Sequence, residues 1–571
     1  MESKDAELAP SGRRAWWALL LIGSASFLLS YATFCFGGYH NKGSAIFFEA
    51  LYPSAQVLLL HSHAEGEPPG RHFPLLIARI LAVAFEAEGV LLVAFTFSRQ
   101  LRLWWTVRRG GHTVICGLTG YGLELVEDAL REGERVVAID PESSPIHILE
   151  SNARLLRGSP ADPHVLRKAG VHRAKLILTA TADDSANIAA VIRAREVAPG
   201  RRARAFVHIA DPHLRALLRH QRTFRSDGPT PATVFNVFDN SARLLLRDYP
   251  LDHSRIRPET DQVVQLIVIG FGHMGEAVLA RAALTGHYAN LERLQAVVID
   301  RSAHRKERLF RNRYPHFADV AVAQFIEADA EEPETQALIA ALCAESAAET
   351  ISTIAISFDE PPHGLSIALS LLNGLRCYAP IRLRLNDDSS LAAILPRGQI
   401  TGFGSIREAS RRKSWLDSEL DAMARKLHED YLARLPEAER SRPENRSSYP
   451  WDFLDDDLVE SNRQLADHIP VKLRAIGCHV AARGDPADPG VLVEQFDEEK
   501  EVEPLAKMEH RRWMAERFLG GWTSGPKDVE RRHSPYLVEW EDLPPDIQER
   551  DRNFVRILPN VLKQVNLEIR R

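Results

Sequence analysis

Residues 15–38, AWWALLLIGSASFLLSYATFCFGG, carry no charge over a length that matches the ~20 residues needed to cross a hydrocarbon core. A second apolar stretch, 73–97, is as long but contains Arg79, Glu86 and Glu88, each costly at a bilayer centre unless paired or facing water. Between them, residues 47–63 are apolar yet short for a span, which suits a re-entrant or interfacial helix over 47–60. From His112 the pattern changes. HTVICGLTGYGLELVEDALREGERVVAID reads as a buried strand, a Gly-rich turn, an amphipathic helix and a strand ending in Asp140. The same succession restarts near Val263, with VVQLIVIGFGHMGEAVLARAAL followed by AVVID ending at Asp300. After a polar linker at 401–414 the chain turns helical. There WDFLDDDLVESNRQLADHIPVKL recurs as WEDLPPDIQERDRNFVRILPNVL.

The expected organisation is a membrane α-helical segment over 1–110 with two transmembrane helices, then α/β Rossmann-like domains at 111–250 and 260–400. An α-helical pair of repeats at 416–571 completes it. Arg13 and Arg14 precede the first membrane stretch, whereas Arg99, Arg102, Arg108 and Arg109 follow the second. The positive-inside rule then puts both termini in the cytoplasm of a multi-pass protein of the bacterial inner membrane. Arg79 and Glu86 lie seven apart, near one helix face, so a polar cavity could solvate both. Arg79, Glu86 and Glu88 are thus candidates for lining a pore. The competing reading has Arg79 snorkel to the interface while the two glutamates pair between subunits. Helix, short helix, helix is the layout of a two-helix potassium channel. The stretch LLLHSHAEGEPPG, however, offers no TVGYG-type carbonyl filter, so potassium selectivity is not expected.

At 571 residues the chain requires several domains. Lys+Arg 71 against Asp+Glu 77, a net charge of −6, supplies no basic field for nucleic acid. The five cysteines form no CxxC pair or His/Cys cluster, so no metal site is expected.

The first glycine turn places Gly117 and Gly122 at the outer positions of GxGxxG. Thr119 stands in the middle, with Gly120 a partial substitute. The second carries Gly270, Gly272 and Gly275 in full register. Asp140 and Asp300 stand where an acidic residue meets a ribose. Each turn could also be retained for packing alone.

Together with Gly158 in RGSPAD, the stretch AGVHRAKLILTATADDSANIAAVIRARE and the later VFNVFDNSARLLLRDYP, these features resemble the regulator-of-potassium-conductance family, also called RCK or TrkA N-terminal domains. The resemblance covers 111–400 and is strongest over 112–200. It implies a nucleotide on the glycine turn, NAD or another adenine nucleotide. It further implies a pocket closed by Thr181, Asp183, Asp184 and Asn187, and assembly into a symmetric homo-oligomer such as a tetramer. Asp183 and Asp184 could equally cap a helix.

Within the C-terminal repeats, Trp451, Leu454, Glu460, Arg463, Pro470 and Leu473 match Trp540, Leu543, Glu549, Arg552, Pro559 and Leu562 at one constant offset. Upstream, Ala424, His428 and Tyr431 align with Ala506, His510 and Trp513. With Gly521, Trp522, Gly525, Pro526, Asp551 and Asn553, they resemble the ryanodine receptor repeat, or RyR domain, over 416–571. His510, Trp513, Trp522 and Arg552 could surround a small anionic, nucleotide-like ligand through cation–π and charge-assisted contacts. The alternative is a buried aromatic scaffold.

The expected function is a ligand-gated membrane effector or channel-like protein, possessing no catalytic residues, with membrane lipid and a small nucleotide as partners. Two alternatives stand beside it: a membrane-anchored nicotinamide-dependent oxidoreductase, and a nonconducting anchored nucleotide sensor.

Overall fold

The computed structural model describes residues 10–37, 50–58, 72–118, 121–142, 153–199, 203–219, 221, 224, 232–344, 349–374, 379–385, 395–396, 398–410, 419–440, 442 and 445–571. These form two compact units: the described residues up to Gly110, and those from Gly111 onward apart from Glu142.

The first unit contains helices α1 (Pro10–Gly37), α2 (Leu51–Leu58) and α3 (His72–Arg109). α1 packs on α3 through small and polar residues. The Ser26 hydroxyl donates to the Ala78 carbonyl at 2.8 Å, and Ser30 and Thr33 bond their own helix backbone at Phe27 and Leu29. A Cβ on Gly23 would stand 2.9 Å from the Phe85 ring. The apolar side chains Leu21, Leu28, Phe36, Phe73, Ile80 and Val90 are exposed. Among the described residues no helix is long and apolar enough to cross a membrane. The spans expected at 15–38 and 73–97 are helical but lack support from the described residues. The charges of Arg79 and Glu86 interrupt the apolar run of α3, and the side chains of 10–20, 88–89 and 91–99, Glu88 included, lie outside the described residues. Arg79 and Glu86 are both half-buried. Of the expected re-entrant stretch, α2 is described, while 47–49 and 59–60 lie outside.

The second unit begins with two parallel sheets of one topology. In the first, β1 (Thr113–Cys116), β2 (Val136–Asp140), β3 (Ala153–Arg157), β4 (Leu176–Thr179), β5 (Arg204–His208) and β6 (Thr233–Phe235) are ordered β3-β2-β1-β4-β5-β6. In the second, β7 (Val263–Ile269), β8 (Gln295–Asp300), β9 (Val322–Glu327), β10 (Thr350–Ile356), β11 (Ile381–Arg384) and β12 (Ile400–Phe403) run β9-β8-β7-β10-β11-β12. Their central strands β1, β4, β7 and β10 are buried along almost their whole length, as expected where helices cover both faces. Each order reverses beside its first strand, at β1/β4 and β7/β10, which creates a crevice at the strand C-termini. Helices α4 (Tyr121–Arg131), α5 (Asp184–Val197), α6 (Val237–Asp248), α7 (His273–Thr285) and α8 (Ala303–Arg313) follow β1, β4, β6, β7 and β8.

Both repeats are present as matching structures. α9 (Glu419–Arg434), a 3₁₀ turn at Trp451, then α10 (Asp456–Asp467) and α11 (Ile469–Ala475) correspond to α12 (Glu503–Leu519), a 3₁₀ turn at Trp540 and α13 (Pro545–Gln564). Pro470 opens α11, where it breaks the helix, whereas the matching Pro559 lies inside α13. Each repeat ends on a strand, β13 (His479–Ala482) and, after the short β14 (Thr523–Ser524) and β15 (His533–Ser534), β16 (Leu567–Arg570). β13 and β16 pair antiparallel, so the repeats close on one another. The Asp456 carboxylate accepts from the Val234 amide at 2.8 Å, which docks the first repeat on β6.

Candidate functional site

The two glycine turns share a construction that separates packing from ligand approach. Gly117 and Gly270 have φ of 97° and 85°, a left-handed region that favours glycine. A Cβ on Gly122 would fall 2.1 Å from the Gly117 carbonyl oxygen, and one on Gly275 2.2 Å from that of Gly270. The first and third glycines are therefore demanded by the strand-to-helix turn itself, with or without a ligand. Gly272 differs. A Cβ there would meet nothing within 4 Å, and its φ of −85° suits any residue. It caps α7, whose first-turn N–H groups and dipole favour an anion. In the first turn the residues at this position, Thr119 and Gly120, lie outside the described residues.

The acidic strand ends brace the turns. Asp140 accepts from the Leu118 amide at 2.6 Å, and Asp300 from the Phe271 amide at 2.8 Å. Asp300 also accepts from the Ser302 amide at 2.9 Å and from Lys306 Nζ at 2.6 Å. Burial raises its pKa, but Lys306 and the two amides outweigh burial and hold it below the ordinary carboxylate range. A ribose hydroxyl at Asp300 must therefore share the carboxylate with Lys306. The stretch AHRKER immediately after Asp300 carried that signal, which sequence reasoning passed over.

In the first domain the Thr181–Asn187 segment closes on itself. Asn187 is buried, accepts from the Thr181 amide at 2.8 Å and donates to the Thr181 and His208 carbonyls. Asp183 caps α5 by accepting from the Ser185 amide at 2.9 Å, and Asp184 accepts from the Ala210 and Asp211 amides. These groups shape the crevice edge by tying β4 to β5.

In the C-terminal repeats, His510 and Arg552 occupy positions that recur with their partners. His510 Nε2 donates to the Val538 carbonyl at 2.8 Å, and His428 Nε2 to the matching Tyr449 carbonyl at 2.8 Å. Arg552 Nε pairs with Glu503 at 2.6 Å. Arg463 pairs with Asp421, the position matching Glu503, at 2.6 Å. The pair is thus built twice, at matching positions of the two repeats. Trp513 and Trp522 do come together, their rings 5.6 and 4.9 Å from the Arg517 guanidinium carbon. Replacing Arg552 with alanine is expected to lower the unfolding free energy by about 1 kcal/mol, the scale of a partly exposed ion pair, as read by chemical denaturation.

A buried ionic cluster joins the repeats to the second sheet domain. Lys472 is fully buried, and its Nζ contacts Glu509 at 2.8 Å and His468 Nδ1 at 2.7 Å. His468 Nε2 donates to the His287 carbonyl at 3.0 Å while its Nδ1 accepts from Lys472, so the ring is neutral. Burial and the Lys472 charge push its pKa well down. Asp551 is half-buried, and desolvation together with the nearby Glu509 carboxylate pushes its pKa up to about 7. Because the unfolded aspartate releases its proton near ~3.9, the folded state binds more protons between about pH 4 and 7. Asp551 therefore withdraws stability as pH rises through that window. Asp551→Asn is expected to raise the unfolding free energy above wild type at pH 8 and to leave it nearly unchanged at pH 4, measured by urea unfolding.

Among the described residues no group of His, Cys, Asp and Glu could hold a metal ion. Comparison with known proteins gives the following. The Trk system potassium uptake protein TrkA of Haemophilus influenzae is 34% identical over 79 residues, 14% of this chain, and the chain spans only 17% of that relative's length. A GsuK structure bound to ADP aligns at 17% identity and a TM-score of 0.37, covering 71% of this chain and 97% of that one. The GsuK channel bound to NAD aligns at 14% identity and a TM-score of 0.36, covering 86% and 89%. Residues 113–222 match the TrkA-N domain and residues 492–571 the RyR domain.

Proposed function

We propose that this chain is a membrane effector whose second sheet domain binds an adenine nucleotide and thereby controls the N-terminal helices, conducting cations between them. The observation that carries the reading is Gly272. In a turn whose other two glycines are required by packing, it alone leaves an open approach to the N-terminus of α7. The TrkA-N match over 113–222 supports a nucleotide-sensing role for the first sheet as well.

The membrane part of the reading is supported by the apolar side chains that α1 exposes and by the small residues it turns inward beside the buried Phe34. Gly23, Ser26, Ser30 and Thr33, spaced along one face of α1, lie inward, while Leu21, Leu28 and Phe36 point outward. Small and hydroxyl residues between helices, with large apolar residues outside, is the arrangement of helices packed in lipid. Arg79, Glu86 and Glu88 would then line a shared path in a homo-oligomer such as a tetramer of the bacterial inner membrane, and a ring of carboxylates would attract cations. Trp513, Arg517 and Trp522 offer a second place for a nucleotide-like anion.

Reconstitution of the full-length protein in liposomes tests this. Cation flux should appear with one of NAD, NADH, ATP or ADP and should discriminate weakly among monovalent cations. Glu86→Gln should change its rate or selectivity. Absence of flux with all four would replace the channel with an anchored sensor.

A further inference from the structure

A cavity of about 620 Å³ lies where α6, α7, α9, α11 and the C-terminal strand β16 converge. No motif announced it, because its walls come from both sheet domains and both repeats. Its volume is that of a small-molecule site, roughly 300–1,000 Å³. Part of the wall is apolar, formed by Leu246, Pro250, Met423, Val471 and Leu567 among others.

The lining also carries four arginines, Arg243, Arg247, Arg281 and Arg474, and two aspartates, Asp252 and Asp467. Most are already saturated. Arg243 holds Asp467 through two bonds of 2.7 and 2.8 Å and Asp421 at 3.0 Å. Arg474 holds Asp252 at 2.9 and 2.7 Å. Arg281 is buried and gives one N–H to Glu460 at 2.8 Å. Its Nη1 has no hydrogen-bond acceptor, and an Asp467 oxygen stands 3.8 Å from it. The Tyr288 side chain, also buried, lines the same space.

An unaccepted N–H on a buried guanidinium costs free energy that a ligand oxygen would restore. We infer that this cavity is a binding site for a small amphipathic anion, an apolar body ending in one carboxylate that reaches Arg281. Such a ligand would bridge α6 of the first sheet domain, α7 of the second and α11 of the first repeat. It would thus tie the repeats to the nucleotide-binding part of the molecule without touching the glycine turns.

Equilibrium dialysis of the full-length protein against 1-naphthaleneacetate and its uncharged analogue 1-naphthaleneacetamide tests the assignment. The carboxylate should bind saturably at one site per chain, and the amide about tenfold more weakly, as loss of a charge-assisted hydrogen bond requires. Met423→Trp, which places a ring in the hollow, should abolish carboxylate binding. Should that variant lose its cooperative melt, Leu567→Trp fills the cavity from β16 and decides the point. Gly272→Val should bind the carboxylate as wild type does, which separates this site from the nucleotide turn. Equal binding of acid and amide, no saturable binding at millimolar concentration, or binding unaffected in a folded filled variant would overturn it.

Discussion

Gly275→Ala is expected to destabilise the second sheet domain by about 3 kcal/mol or more, the upper range for forcing atoms into a packed site, whereas Gly272→Ala is expected to be neutral or slightly stabilising. The new Cβ at 275 would stand 2.2 Å from the Gly270 carbonyl oxygen, and that neighbour is backbone, which cannot swing aside. At 272 it meets nothing within 4 Å, so the lost chain entropy of the unfolded state should give ~0.4–1 kcal/mol of stability. Thermal melts of the two variants should therefore part by roughly 6–12 °C or more, at 2–4 °C per kcal/mol for a domain of this size. Equal melting temperatures would mean that the turn is not built as described.

The second large effect is expected at Glu509. Its carboxylate holds Lys472 at 2.8 Å and Arg512 at 2.8 Å, and all three side chains are buried. Glu509→Gln leaves two buried cations with one carboxylate fewer, and breaking such a group by removing one partner costs about 3–5 kcal/mol. Because Lys472 bridges to His468 and through it to the His287 carbonyl, the loss should appear as earlier unfolding of the repeats together with the second sheet domain. Lys472→Met combined with Glu509→Gln should cost less than the sum of the two single changes, since residues in one ionic network couple. Additive losses in chemical denaturation would show that the two residues act separately.

What the sequence made legible was what is local. Both glycine turns, the strands that enter and leave them, and the two matching repeats were readable because each turn and each repeat is specified by residues close together in the chain. The repeat alignment even placed His428 with His510 and Arg463 with Arg552. What the sequence did not disclose was that these pairs hold equivalent partners, Tyr449 with Val538 and Asp421 with Glu503, which gives both ligand candidates a partner inside the repeat. Nor could it show the cavity at Arg281. Arg243 meets Asp467 and Arg474 meets Asp252 across more than two hundred residues, and no periodicity encodes such an encounter. The N-terminal helices illustrate the opposite case. An uncharged stretch was plain in the sequence, while the inward serines and outward leucines of α1 became visible only once α3 was packed against it.

The central claim, that the second glycine turn is a nucleotide site and not only a packing device, is tested most directly by calorimetry on the full-length protein with NAD, NADH, ATP and ADP. The account predicts saturable binding of at least one of them, and its loss in Gly272→Val with the melting temperature preserved. Failure of all four to bind at millimolar concentration, or undiminished binding in the folded Gly272→Val protein, would contradict it.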